Sequence, residues 1–155
     1  SHHAIRPVLE TDSEGRSASP NLYETNAAAC LRDHALSEEV FGPLGLIVRV
    51  DAPTDMVDFA RKLEGQLTAT LHLDDADTML ARQLMPLLEH KAGRILVNGY
   101  PTGVEVCDAM VHGGPYPAST NCGATSVGTM SIRRFLRPGS YQTIPAGLLP
   151  EDMAG

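Results

Sequence analysis

Apolar residues recur along this chain in blocks whose spacing predicts strands and helices in alternation. Leu44-Gly45-Leu46-Ile47-Val48-Arg49-Val50 is continuous, largely β-branched and bounded by Gly42-Pro43, the pattern of a buried strand. Met56, Phe59, Ala60 and Leu63 fall at i, i+3, i+4 and i+7, which predicts an amphipathic helix opening near Pro53 and ending by Gly65. Leu67-Thr68-Ala69-Thr70-Leu71-His72-Leu73 alternates with period two and predicts a second strand. Ala76, Leu80, Leu84, Leu87 and Leu88 form the stripe of a second helix, with Asp74 or Asp75 as its cap, Pro86 as a kink and Gly93 at its C′ position. Arg94-Ile95-Leu96-Val97-Asn98 reads as a third strand. Strand, helix, strand, helix, strand predicts an α/β fold: a mostly parallel sheet with right-handed crossovers and helices on its faces.

The flanks are less regular. Residues 1–20 form a polar lead-in whose Ser, Gly and Pro density favours turns. Ser1-His2-His3 reads as a tag-derived stub without functional weight, and the start has no apolar core of a secretory signal. Asn21-Leu22-Tyr23-Glu24-Thr25 predicts a short strand, and residues 27–39 a helix and turn. Residues 100–127 are crowded with Gly, Pro, Ser, Thr and Asn, including His112-Gly113-Gly114-Pro115-Tyr116-Pro117. A loop of that length is functional or disordered. A short helix over 126–135 and a late strand at Tyr141-Gln142-Thr143-Ile144 complete the reading. The organisation expected is a lead-in (1–20), one α/β unit (21–135) and a tail (136–155).

Composition narrows the function classes. With 155 residues, 43% hydrophobic and 20% charged, a single ordinary core is expected, and with no tryptophan and 5% aromatics it must be aliphatic. A net charge of −7 disfavours a nucleic-acid partner. No apolar run approaches the roughly 20 residues of a membrane-spanning helix. Cys30, Cys107 and Cys122 are odd in number and widely spaced, which fits a reducing cytoplasm better than a disulfide framework. No C-x-x-C pair or His/Cys cluster has zinc spacing, so no metal site is expected.

One hexamer carries more. Glu38-Glu39-Val40-Phe41-Gly42-Pro43, running directly into an apolar strand, resembles the E-E-[VI]-F-G-P segment of the aldehyde dehydrogenase superfamily. The downstream order is also that family's, ending in a G-x-[IVL]-x-V-N strand matched by Gly93-Arg94-Ile95-Leu96-Val97-Asn98. Tyr100-Pro101-Thr102-Gly103-Val104, the run from His112 to Thr120, Arg133-Arg134-Phe135 and residues 142–150 resemble the branch of α-ketoglutarate semialdehyde and NADP-dependent fatty aldehyde dehydrogenases. The resemblance spans residues 21–150.

It implies the C-terminal part of a catalytic domain that oxidises an aldehyde to a carboxylic acid with NAD or NADP. Glu39 would accept hydrogen bonds from the nicotinamide ribose hydroxyls, since a carboxylate can take two from a diol, and Phe41 would pack beside the nicotinamide. The bland alternative makes Glu39 a solvated helix-end acid and Phe41 a core anchor; the matched hexamer favours the cofactor roles. Asn98 would help hold the catalytic loop, or is a strand-end turn residue bonding nearby backbone. Residues 101–112 would wall the aldehyde pocket, with Gly103 and Val104 where relatives carry aromatics, and His112 at its end. The resemblance further implies homo-oligomers, with residues 140–145 as an assembly segment.

The family's nucleophile is a cysteine in G-Q-x-C and its base a glutamate in E-L-G-G, and neither pattern occurs here. No Gly-rich phosphate loop follows a strand. No catalytic residue is therefore assigned, and the chain alone is expected to be inert and to bind no cofactor by itself. Two other classes compete. A hydrolase would use His112-Gly113-Gly114 as an oxyanion loop with Cys122 or Ser126 as nucleophile, although no G-x-S-x-G elbow is present. A non-catalytic binding or scaffold module would fold, associate through unpaired sheet edges and leave His34, His72 and His90 as ordinary surface residues.

Overall fold

A computed structural model describes residues 5–153. His2, His3 and the last two residues of the tail lie outside that range. The first sheet holds β1 (Arg6–Leu9), β2 (Asn21–Asn26) and β3 (Leu44–Arg49) in the order β1-β2-β3. β1 runs antiparallel to β2, and β2 runs parallel to β3 with Asn21 opposite Leu44. Between β2 and β3 the chain makes α1 (Ala27–Arg32) and a 3-10 turn (His34–Ser37). Asn26 starts α1 by accepting a hydrogen bond from the Ala29 amide at 2.8 Å.

The second sheet pairs β4 (Gln66–Leu71) with β5 (Ala92–Val97), parallel, with Gln66 opposite Ala92. Its crossover is α3 (Thr78–Glu89), entered through a 3-10 turn (Asp75–Asp77). Asp74, anticipated as the cap of α3, caps that turn instead, accepting from Ala76 N at 2.8 Å while Asp77 accepts from Asp74 N at 3.0 Å; α3 itself starts from Asp77 without a side-chain cap. α2 (Pro53–Lys62) joins the sheets and packs on both α1 and α3. Val57 and Ala60 of α2 meet Leu84 and Leu88 of α3, with Ala69, Leu71 and Ile95 of the second sheet against them. The α/β layering and the parallel pairings follow the periodicity. The three predicted strands do not form one sheet, however: β3 pairs with β2 rather than β4.

Other differences have local causes. β1 lies inside the stretch read as turns; it is exposed throughout and contains Pro7, which an edge strand tolerates. Gly93 does not end α3, which closes at His90, but sits within β5. α3 runs through Pro86, whose carbonyl receives His90 Nδ1 at 2.8 Å. The helix anticipated near 126–135 is a 3-10 helix (Thr129–Phe135) entered from Gly128 at φ 86°. Residues 141–144 form no strand, because no other segment among the described residues offers them a ladder.

An ion ladder crosses the first sheet. Glu24 of β2 takes Arg49 Nε at 2.8 Å from one side and Arg6 Nη2 at 3.0 Å from the other. The hydrogen bonds from Arg49, then those from Arg6, hold its carboxyl down to about 2 from the ordinary 4.5. A depressed acid stabilises the fold above its unfolded value and ceases to do so as pH falls through its folded one. Between pH 4.5 and 2, the wild-type chain should therefore lose thermal stability more steeply than a Glu24→Gln variant. Parallel acid limbs in melts followed by circular dichroism would count against this ladder.

Candidate cofactor cleft and the strap across the sheet

A cleft of about 830 Å³ opens between the turn before β3 and the start of β4. Glu38 and Glu39 form one side, Glu64 and Gly65 another, and Pro117 and Ala118 close it from the long loop. Leu36, Val40, Leu44, Leu46 and Leu67 supply apolar wall, and no Lys or Arg lines it. His34 braces the rim: Nε2 lies 3.1 Å from Glu64 Oε1 and Nδ1 3.6 Å from Glu38 Oε1. Two of the three carboxylates are thus engaged. Glu39 has no hydrogen-bond or ion-pair partner among the described residues.

An uncommitted carboxylate beside apolar wall fits a ligand that offers hydroxyl donors next to a flat ring. It does not fit a phosphate, which the acids would repel and no cation here would hold. The residues present therefore suit the ribose and ring end of a nicotinamide dinucleotide and not its pyrophosphate. Phe41 is 92% exposed and does not line the cleft.

The other anticipated residues gather elsewhere. Asn98, at φ 52°, uses its amide as a backbone mimic: Oδ1 accepts from Leu73 N and Nδ2 donates to Leu73 O, both at 2.9 Å. Its own N–H reaches Leu71 O at 2.9 Å, so the side chain prolongs the β4–β5 ladder by one rung. Gly103 and Val104 lie on the loop after β5, and the Gly103 carbonyl accepts from Arg94. His112 is exposed; its N–H donates to Thr125 Oγ1 at 2.8 Å and its carbonyl accepts from Ser126 N at 3.1 Å. The structure brings Glu39 to the cleft and leaves Asn98, Gly103, Val104 and His112 outside it.

What joins the two regions is the segment 112–118, a strap whose role the sequence did not reveal. A Cβ on Gly93 would fall on the Gly113 carbonyl, one on Gly65 on the Pro115 and Tyr116 carbonyls, and one on Gly114 on the Gln66 carbonyl, all well under 3.0 Å. The strap thus crosses the first residues of β5 and β4 backbone against backbone and delivers Pro117 and Ala118 to the cleft. Three glycines in three separate segments were the only signal, and each read alone as punctuation. The same packing removes the oxyanion-loop reading, because Gly113 and Gly114 are buried against the sheet. Ser126 Oγ donates to the His112 carbonyl, and Cys122 has no histidine partner among the described residues.

Comparison with known proteins gives two similar dehydrogenases. The chain is 57% identical over 146 residues to alpha-ketoglutaric semialdehyde dehydrogenase 2 of Azospirillum brasilense, a match over 94% of this chain and 27% of that protein. It is 48% identical over 135 residues to alpha-ketoglutaric semialdehyde dehydrogenase of Acinetobacter baylyi, covering 86% of this chain and 26% of the relative. Over most of its length the chain is thus similar to proteins named as alpha-ketoglutaric semialdehyde dehydrogenases. It spans about a quarter of the length of these dehydrogenases. No family model matches it. Its fold is shared with the NAD-bound crystal structure of Delta-pyrroline-5-carboxylate dehydrogenase from Mycobacterium tuberculosis, at a TM-score of 0.53 and 23% identity over 78% of this chain and 22% of that one. No helix among the described residues is long and apolar enough to cross a membrane.

Proposed function

We propose that this chain is the C-terminal part of the catalytic domain of a cytoplasmic, homo-oligomeric dehydrogenase that oxidises α-ketoglutaric semialdehyde to the dicarboxylic acid with NAD or NADP. The observation that carries the reading is the free Glu39 carboxylate on an apolar-walled cleft, in a chain 57% identical to a dehydrogenase of that name. When bound, the dinucleotide accepts the hydride. This chain's part is to hold the ribose through Glu39, to shield the ring from water with Val40, Leu44 and the strap, and to wall the aldehyde pocket with residues 101–112. Phe41, exposed on the outer side of the same turn, would cover the nicotinamide once upstream segments complete the site. Residues 140–145 would serve assembly, with Tyr141 and Ile144 exposed for it.

Alone, the chain supplies no thiolate in the family's context and should produce no reduced nicotinamide from NAD or NADP with the semialdehyde. The decisive test replaces the matching segment of the Azospirillum relative with residues 21–150. Dehydrogenase activity in that chimera supports the reading, and an assembled but inactive chimera refutes it. In an active chimera, Glu39→Gln keeps one acceptor and loses the charge. It should raise the KM for the dinucleotide about tenfold or more, the worth of one charge-assisted hydrogen bond. An unchanged KM would return Glu39 to the status of a surface acid.

A further inference from the structure

The loop after β5 has one organiser. Arg94, opposite Thr68 in the β4–β5 pair, turns its guanidinium back onto the chain that follows it. Nη1 donates to the Gly103 carbonyl at 2.7 Å and Nη2 to the Pro101 carbonyl at 3.3 Å; Nη1 also lies 3.8 Å from Met110 Sδ. No other hydrogen bond among the described residues reaches 101–106. The far end of the loop is tied separately, by Thr129 Oγ1 to Asp108 Oδ1 at 2.8 Å and Met110 N to Cys107 O at 3.1 Å. Arg94 has no carboxylate partner among the described residues, and its Nε is buried without an acceptor. A charged side chain in that position is not explained by an ion pair. It is explained by the planar fork, which spans two carbonyls two residues apart as a point-charge ammonium does not.

We propose that Arg94 is a positioning residue that sets the shape of the loop 101–106 from the rigid strand β5 and thereby sets the aldehyde selectivity of the complete enzyme. The loop carries Gly103 and Val104, so its own side chains offer little packing to hold it. Without the fork, Pro101 and Gly103 keep their sequence but lose the anchor that gives them a fixed path. The selectivity half of the inference rests on the function proposed above; the anchoring half does not.

Two measurements test it. In the chain as it stands, backbone 15N relaxation should give order parameters of about 0.8 for amides 102–106, falling below about 0.6 in Arg94→Met, with β2, β3 and α2 unchanged. Arg94→Lys should remain low, because the charge survives and the fork does not. Unchanged order parameters, a fall shared by both sheets, or full rescue by lysine would overturn the anchoring. In the chimera, Arg94→Met should raise the KM for α-ketoglutaric semialdehyde about tenfold with kcat held within about threefold. An unchanged KM beside a loosened loop overturns the selectivity half. An inactive wild-type chimera sinks the enzyme reading and that half with it, and the order parameters still decide the anchoring.

Discussion

Alanine at position 93 should unseat the 112–118 strap and lower the melting temperature by roughly 10 °C. The added methyl meets the Gly113 carbonyl, and that atom belongs to backbone that is itself seated on β4 through Gly65 and Gly114. A flexible side chain could swing away; a carbonyl hemmed by two further glycine contacts cannot. Overpacking of this kind costs about 3 kcal/mol, and a chain of this size loses roughly 2–4 °C per kcal/mol. The control is Gly139→Ala, where a Cβ would meet nothing within 4 Å. Melting curves should separate the two variants clearly, and limited proteolysis should cut the alanine-93 protein within the strap. If both melt together, the close approach has no energetic weight.

Leu84→Ala should be the more damaging of the core truncations, at about 2–5 kcal/mol. Leu84 is 4% exposed in the α2–α3 contact, clustered with Val57, Ala60 and Leu88 and packed by Leu71, Leu80, Leu87 and Ile95. A chain with so thin a core has stability of the same order as that loss. The urea midpoint should fall towards zero denaturant, whereas Met79→Ala, at a residue 67% exposed on the same helix, should leave it nearly in place. Matching midpoints would mean that the α2–α3 contact does not hold the fold.

Regular elements were legible where burial enforces periodicity. α2, α3, β4 and β5 each have a face against the core, and their apolar spacing records it; β3, read as a buried strand, has no buried residue and leaves Leu44 and Ile47 exposed. The partner of β3 was not legible, since a continuous apolar strand has the same composition whichever neighbour it joins. β1 was invisible because an exposed edge strand containing proline leaves no alternation to read. At the site, the hexamer brought Glu39 to the cleft, but no local pattern could reveal that His34 would bridge Glu38 and Glu64, residues brought together only by the turn between α2 and β4. Asn98 illustrates a third case: its left-handed backbone and its pair of hydrogen bonds with Leu73 make it a builder of the ladder, a role its position at a strand end allowed but did not specify.

The glycine seats under the strap divide the long loop into two mechanically separate territories. Upstream of Gly113, the path is set by the Arg94 fork and the Thr129–Asp108 bond and not by the seats. Downstream, Pro117 and Ala118 keep their distance from Glu39 because the register at Gly65, Gly93 and Gly114 cannot slide. A lineage built on this scaffold can therefore vary the loop after β5 while the face of the cleft that carries Glu39 stays fixed.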